Sequence, residues 1–210
     1  MTLSKHKTLL PAAIASLIIV FSLIAELLVI IGLETSVASA IVAYFGYFTI
    51  CTNIFVAMCV TSQAVQKQSN FCTFFRRSSV VGCATGSIII VGFAYHFLLR
   101  ATANLQGYRF FIDFLLHYVN PVLMLVFWIY YTPPRALQYK QLVHWVVYPL
   151  SYLAYILIRG AVIHKYPYAF VNVDVIGYAS TLQFAATLTL QFLVVSALLI
   201  TINRYLVSKR

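Results

Sequence analysis

The segment IDFLLHYVNP, residues 112–121, places three chemically active side chains inside a long apolar run. Asp113, His117 and Asn120 are four and three residues apart, which puts them on one face of an α-helix. A carboxylate that orients an imidazole is a common arrangement for general acid–base catalysis. The same two groups can also join neighbouring helices as a polar contact. The spacing therefore indicates either a catalytic or a packing role for this face.

Two threonines in an earlier apolar run are candidates for a nucleophile. Thr49 shares a helix face with Gly46 and Asn53, and Thr52 is adjacent to that face. A hydroxyl becomes an effective nucleophile only when a neighbouring base accepts its proton. A threonine in a membrane helix also commonly bonds a carbonyl of its own helix. The sequence leaves both roles open.

Further polar side chains stand in the outer halves of the apolar runs. A charge in hydrocarbon costs several kcal/mol by most scales, so each ionisable group there needs a partner or a function. We expect these side chains and the helix face of Asp113, His117 and Asn120 to line one cavity, which binds the substrate between apolar walls. The predicted substrate-binding residues are Arg159, His96, Asn53, Asn120, Tyr152, Tyr155, Thr52 and Glu26.

These residues have distinct expected roles, and each has a structural alternative. Arg159 and His96 are expected to hold a lipid carboxylate, and Asn53 or Asn120 is expected to donate a hydrogen bond to an oxyanion. Arg159 is also close enough to the interface to reach the headgroups, and the tyrosines can be packing residues with satisfied hydroxyls. Glu26 can be a buried protonated acid or a partner of Arg159 or His96.

The composition shows that the elements carrying these residues must cross a membrane. Of the 210 residues, 62% are hydrophobic and 9% are charged, whereas a soluble domain carries about 25% charged residues. The net charge of +10 is spread singly at the ends of apolar runs, which is typical of membrane proteins and argues against a nucleic-acid partner. No phosphate-binding glycine loop, HExxH motif or metal-type cysteine spacing occurs, so the sequence predicts no metal and no cofactor.

Six apolar runs reach the roughly 20 residues that span a bilayer. The sequence thus predicts an all-α membrane protein, a single domain over residues 1–210 formed by a bundle of six transmembrane helices. The Lys and Arg residues divide ten to four between the two sides, which predicts that both termini are cytoplasmic. Four of the ten are Lys5, Lys7, Lys209 and Arg210. The predicted helices cover about 9–33, 37–61, 79–100, 109–132, 143–163 and 178–203.

Two of these runs carry a resemblance to a known family. The second reads YFGYFTICTNIFVA (residues 44–57) and the fourth contains DFLLHYVNPVL (residues 113–123). A threonine in the former and a histidine in the latter, within six helices, resemble the androgen-induced and androgen-dependent TFPI-regulating membrane proteins. The layout, with YHFLLR (residues 95–100) and YPYAF (residues 166–170), is similar to bacterial six-helix relatives of that family.

The resemblance implies a threonine hydrolase that cleaves fatty acid esters of hydroxy fatty acids. By position, it implies Thr49 as the nucleophile and His117 as the catalytic histidine. This sequence departs from the family pattern by offering Thr52 one turn later, so the nucleophile stays open between the two threonines. For a bacterial protein, the resemblance implies an integral multi-pass protein of the inner membrane.

Together, the residues and the resemblance predict an intramembrane hydrolase of fatty-acyl esters, whose partners are its lipid substrate and the surrounding membrane lipids. Thr49 would attack the ester, His117 would act as base, and Asp113, on spacing alone, would orient the ring. One alternative is a small-molecule or proton-coupled transporter, since intramembrane acids and histidines also form proton relays. The other is a lipid-binding membrane protein without catalysis.

Overall fold

The computed structural model of the protein describes residues 2–101, 103 and 105–206, with the backbone alone at residues 2–8 and 206. The secondary structure of this part of the chain is helical, and six of its helices are long and apolar enough to cross a membrane. The prediction of an all-α, multi-pass membrane protein is confirmed at this level. The six spans are Leu9–Leu33, Phe48–Val65, Ser78–Leu99, Gly107–Tyr131, Tyr139–Ile163 and Val173–Tyr205.

Short breaks and wider π-turns divide these spans into helices. In chain order, the helices are α1 (Thr2–Leu33), α2 (Val37–Tyr44), α3 (Phe48–Val65), α4 (Asn70–Phe75), α5 (Ser78–Ala94), α6 (Gly107–Phe114), α7 (Asn120–Tyr131), α8 (Leu142–Trp145), α9 (Val147–Ile163) and α10 (Val173–Thr201). The π-turns follow α5, link α6 to α7, and follow α10, at Tyr95–Leu99, Leu115–Val119 and Ile202–Leu206.

The cytoplasmic location of both termini stays a prediction. Lys209 and Arg210 lie outside the described residues, as do the side chains of Lys5 and Lys7.

The second predicted span, residues 37–61, is two helices in the structure. The side chain of Ser36 caps α2, and the chain then turns at Gly46, whose N–H donates to the Ala43 carbonyl. A Cβ at Gly46 would lie 2.9 Å from that carbonyl oxygen and 3.1 Å from the guanidinium carbon of Arg159. The turn therefore needs a glycine, and the membrane-length helix begins at Phe48.

The sixth span also differs from the prediction, because it begins at Val173. The Asn172 side chain accepts a hydrogen bond from the Asp174 N–H and so caps the start of α10. Gly177 then interrupts the helix with a φ of 74° and a ψ of 163°. A positive φ is a conformation that glycine adopts without strain.

Helix α5 is the central helix of the bundle and packs against α3, α7 and α10. A Cβ at Gly82 would lie 2.6 Å from the Trp145 ring, and one at Gly86 would lie 2.8 Å from Ser196 Oγ. Helices in lipid gain little from hydrophobic transfer, so close approach at small residues is a main source of their association. This packing places the end of α5 beside the turn between α6 and α7.

Large apolar side chains are exposed around the outside of the bundle. Leu17 on α1, Ile158 on α9 and Leu190 on α10 each expose more than half of their surface. Such an apolar exterior would cause aggregation in water, whereas hydrocarbon solvates it.

Candidate active site

A hydrogen-bonded series of three side chains crosses from α3 to the α6–α7 connection. Thr49 Oγ1 lies 3.2 Å from His117 Nε2. His117 Nδ1, on the other side of the ring, lies 3.1 Å from Asp113 Oδ1 and 3.0 Å from the Asp113 main-chain oxygen. Thr49 and His117 are buried, and Asp113 exposes 15% of its side chain. The structure brings together the three residues that were predicted to be catalytic. Thr49, His117 and Asp113 are called the triad below.

The contacts of His117 determine which ring nitrogen carries a hydrogen. Both groups next to Nδ1, the Asp113 carboxylate and the Asp113 carbonyl, are acceptors. Nδ1 must therefore be the N–H, which leaves the lone pair of the neutral ring on Nε2. Nε2 can then accept the hydrogen of the Thr49 hydroxyl. A histidine base requires this arrangement when it takes a proton from a hydroxyl nucleophile.

A π-turn, Leu115–Val119, positions His117 one turn after Asp113. A π-turn widens the helix and disturbs its regular hydrogen-bond ladder, and such turns are frequent at functional sites. Pro121 follows closely and has no N–H to donate to the ladder. In this widened turn the His117 ring lies back over the preceding turn, so that Nδ1 donates to the Asp113 carbonyl.

Helix α5 and its π-turn support the imidazole. The Tyr95 ring stacks on the His117 ring, with centroids 4.0 Å apart and planes at 19°, and the Tyr95 hydroxyl hydrogen-bonds Asp113. A Cβ at Gly92 would lie 3.0 Å from the His117 carbonyl oxygen, so glycine permits this close approach. Neither Tyr95 nor Gly92 has a signal in the sequence, because both roles depend on how α5 packs against the α6–α7 connection.

Thr49 lies in the first turn of α3, where main-chain N–H groups have no partner within the helix. Its N–H donates to the Tyr168 hydroxyl oxygen at 3.4 Å, and the Phe48 N–H lies near the same oxygen. Burial raises the pKa of Tyr168 to about 12, so the hydroxyl stays neutral and can also donate. The N-terminus of a helix carries partial positive charge. The Tyr168 hydroxyl, which accepts from the Thr49 N–H, can thus donate its hydrogen to a negatively charged oxygen next to Thr49.

Tyr168 is not among the site residues predicted from the sequence. The residue belongs to the YPYAF segment (residues 166–170) between the fifth and sixth spans. Only the fold brings its hydroxyl to the start of α3.

Asn53 and Asn120, which were predicted as oxyanion donors, are joined to each other in a buried network. Asn120 Nδ2 donates to Asn53 Oδ1 at 2.7 Å and to Ser22 Oγ at 2.8 Å. Asn53 Nδ2 donates to the Thr49 carbonyl at 2.9 Å and to the Leu116 carbonyl at 3.4 Å. Each amide has two hydrogens, and both are used in each case. The two residues therefore hold α1, α3 and the α6–α7 connection together beside the triad.

Thr52 faces α9, the helix that carries the predicted residues Tyr152 and Tyr155. The Thr52 hydroxyl is 3.1 Å from the Tyr148 hydroxyl, so this threonine faces α9 while Thr49 faces His117. The Tyr152 hydroxyl donates to the Gly46 carbonyl at 2.7 Å, and its ring lines the cavity next to Thr49. Tyr155 is 41% exposed and lies outside that cavity.

Arg159 lies apart from the triad, at the junction of α2 and α9. Its guanidinium donates to the Lys165 carbonyl at 2.8 Å and to the Val42 carbonyl at 3.1 Å. It borders a separate pocket of about 300 Å³ together with Lys165 and Glu34. Arg159 thus links α2 to the loop that follows α9, and it does not line the cavity at Thr49.

The two other predicted ionisable residues lie closer to the triad. His96 is exposed, and its Nδ1 is 3.0 Å from the Tyr118 hydroxyl. Glu26, on α1, is partly buried and lies within electrostatic range of Asp113 and His117. Neither residue lines the cavity at Thr49.

A cavity of about 90 Å³ lies between α3, α5, α9 and α10. Its walls are largely apolar, as an acyl chain would require. The polar members of its lining are Thr49, Tyr95, Tyr152, Tyr168 and Thr189. Thr49, the nucleophile candidate, and Tyr168 therefore line the same cavity.

Comparison with protein-family models, curated proteins and solved structures finds no match to this chain. Among the residues that the structure describes, no cluster of His, Cys, Asp and Glu side chains could hold a metal ion. The chemical interpretation of the site therefore depends on its geometry.

Proposed function

We propose that the protein is an intramembrane hydrolase of fatty-acyl esters, with Thr49 as the nucleophile and His117 as the base. The observation that carries this proposal is the hydrogen-bonded series from Thr49 through His117 to Asp113, whose Thr49 end lines an apolar cavity. A polar contact that only joined helices would not require a basic nitrogen directed at a hydroxyl beside open space.

In the first half-reaction, Thr49 Oγ1 attacks the ester carbonyl carbon while its proton passes to His117 Nε2. Asp113 stabilises the resulting imidazolium, because its carboxylate and its carbonyl both accept from Nδ1. His117 then returns the proton to the departing alcohol oxygen as the ester C–O bond breaks. The acyl group remains bonded to Thr49 Oγ1.

The tetrahedral intermediate places negative charge on the former carbonyl oxygen. The Tyr168 hydroxyl, whose oxygen accepts from the Thr49 N–H, can donate its own hydrogen to the former carbonyl oxygen. One such donor contributes about 3 kcal/mol to the stability of a transition state. The partial positive charge at the start of α3 acts in the same direction.

In the second half-reaction, water cleaves the acyl-threonine. His117 Nε2 accepts a proton from the water as the water oxygen attacks the acyl carbon, and the proton then passes to Thr49 Oγ1 as it leaves. The products are a fatty acid and the free enzyme. With both termini cytoplasmic, this water would enter from the outer side of the membrane, which for a bacterial protein is the periplasmic side of the inner membrane.

The apolar cavity walls favour fatty-acyl esters as the substrate class. Fatty acid esters of hydroxy fatty acids, which the family resemblance implies, belong to this class.

The test is ester hydrolysis by the purified protein, assayed with a panel of fatty-acyl esters. We expect Thr49→Ala and His117→Ala each to abolish hydrolysis, while Thr52→Ala, the matched control one turn away, retains it. All three variants should unfold near the wild-type temperature in the same detergent. Full activity in purified Thr49→Ala protein would contradict the proposal, and loss only in Thr52→Ala would transfer the nucleophile to that residue.

A further inference from the structure

The cavity at Thr49 is too small to hold a fatty-acyl ester by itself. Its volume is about 90 Å³, whereas pockets for small organic ligands occupy about 300–1,000 Å³. Most of a lipid substrate must therefore lie in a space that adjoins this cavity.

Such a space lies on the outside of the bundle, between α5 and α10. This α5–α10 groove has a volume of about 530 Å³. Ile90, Ala94 and Leu188 line both the groove and the cavity. The α10 side of the groove extends from Phe184 to Val195, which corresponds to about 16 Å at the helical rise of 1.5 Å per residue.

We propose that the α5–α10 groove holds the acyl chain of the substrate and is the route by which the ester reaches Thr49 from the bilayer. This inference rests on the proposed function, because it concerns the same nucleophile. The ester would pass between Ala94 and Leu188, the walls that the groove shares with the cavity. The chain itself would stay against apolar groove residues such as Phe93, Phe97 and Phe184.

The membrane setting makes this route energetically reasonable. An acyl chain that moves from lipid into the groove exchanges one apolar environment for another, so the transfer exposes none of its apolar surface to water. Its affinity must then come from packing against the groove walls, as for association between membrane helices. The length of the chain should therefore control how well a substrate is held.

A second groove, between α5 and α7, fits this role less well. Its volume is about 310 Å³, and its lining includes His96 and His117 but not Thr49. Phe93 and Phe97 line both grooves and form the ridge between them. The acyl group becomes attached to Thr49, so its chain belongs in the groove that shares Ile90, Ala94 and Leu188 with the Thr49 cavity.

The first test compares two esters with the same leaving group, 4-nitrophenyl palmitate and 4-nitrophenyl acetate. Leu188→Trp narrows the passage, so we expect the palmitate-to-acetate ratio of kcat/KM to fall by about tenfold or more, since apolar contacts as small as one methylene are worth about tenfold. Ala186→Trp is the matched control, because Ala186 is exposed on the same helix and lies outside the groove. Equal ratios in the two variants would overturn the inference, whatever the absolute rates.

The second test requires no catalysis. A fatty acid carrying a diazirine in its chain is photolysed with the full-length Thr49→Ala protein in liposomes, and the adducts are mapped by mass spectrometry. We expect adducts on α10, in the segment 184–195, with fewer in Leu188→Trp. Adducts on α7 or on the outer face of α1, with none in 184–195, would overturn the inference, because Phe93 and Phe97 line both grooves and do not distinguish them. Failure of the wild type to hydrolyse either ester would instead contradict the proposed function.

Discussion

Thr49 and His117 are 68 residues apart in the sequence, and Thr49 Oγ1 meets His117 Nε2 at 3.2 Å. Two irregular features produce this contact. The break at Gly46 starts α3 at Phe48, which places Thr49 in the first turn of the helix. The π-turn Leu115–Val119 places His117 over the turn that contains Asp113. A regular second span over residues 37–61 would have bonded the Thr49 N–H to a carbonyl of its own helix, and it could not have donated to the Tyr168 hydroxyl.

Replacement of Asp113 by Asn tests whether the carboxylate orients the base. The amide can donate to Nδ1 and favour the wrong tautomer, whereas the Asp113 carbonyl still accepts from Nδ1. We therefore expect kcat to fall by about 100-fold, less than the about 10⁴-fold loss in a serine triad, with KM little changed. Steady-state kinetics on a fatty-acyl ester measure this change.

Asp174→Asn is the matched control for that experiment, because Asp174 forms an exposed pair with His164 at 3.2 Å. Its activity should equal that of the wild type. A wild-type kcat in Asp113→Asn would show that the carboxylate has no part in the reaction.

Gly92→Ala tests the close approach of α5 to His117. The added Cβ would lie 3.0 Å from the His117 carbonyl oxygen, so the π-turn must give way by a few tenths of an ångström. A displacement of about 1 Å at a catalytic group can cost about 100-fold in rate, so we expect this smaller shift to lower kcat by about threefold to tenfold. Gly32→Ala, where a Cβ would meet no atom within 4 Å, should leave the rate unchanged. Unaltered activity in Gly92→Ala would argue against precise positioning of the base by α5.

Tyr168→Phe tests the oxyanion site. Loss of one donor should lower kcat by about 10–100-fold with little change in KM. Loss of an oxyanion donor usually lowers kcat by about 100–1,000-fold, so the expected effect lies at or below the lower end of that range. Because burial raises the pKa of Tyr168 to about 12, the hydroxyl stays protonated through the neutral range. The ratio of wild-type to variant kcat should therefore be constant between about pH 6 and 9.

Tyr166→Phe provides the control for Tyr168→Phe within the same loop, because the buried Tyr166 hydroxyl has no hydrogen-bond partner. This variant should keep the wild-type rate. A higher kcat in Tyr168→Phe would mean that the hydroxyl obstructs the oxyanion site in the free enzyme.

Asn120→Ala tests the structural role assigned to the amide network. It leaves Asn53 Oδ1 and Ser22 Oγ without their donor, so we expect a loss of stability of about 1 kcal/mol, within the range of interhelical hydrogen bonds in membranes. Unfolding in a detergent mixture measures the loss. The folded fraction should keep its kcat, and a 100-fold lower kcat at unchanged stability would restore Asn120 as an oxyanion donor.

Local patterns in the sequence predict part of this structure. The six spans follow from length and hydropathy, and the Asp113–His117 contact follows from the i, i+4 spacing on one helix. The break before α3 is hidden, because residues 44–57 continue the apolar run and Gly46 alone marks the turn. The close approach of the Arg159 guanidinium to Gly46 is a contact between distant segments that no local pattern indicates.

Other parts of the site depend on contacts between distant segments. Tyr168 reaches the Thr49 N–H from 119 residues away, and no spacing rule connects a loop tyrosine to the start of a helix. The roles predicted for Asn53 and Asn120 also depend on which amide hydrogens remain free, and the fold uses them between helices.

The most direct measurement is covalent labelling of the wild-type protein with a fluorophosphonate, followed by mass-spectrometric mapping of the adduct. A hydroxyl activated by His117 should attack the phosphorus and carry the label. We expect the adduct on Thr49 and its loss in His117→Ala, with labelling retained in Thr52→Ala. An adduct on any residue other than Thr49, or ester hydrolysis without labelling of Thr49, would contradict the account.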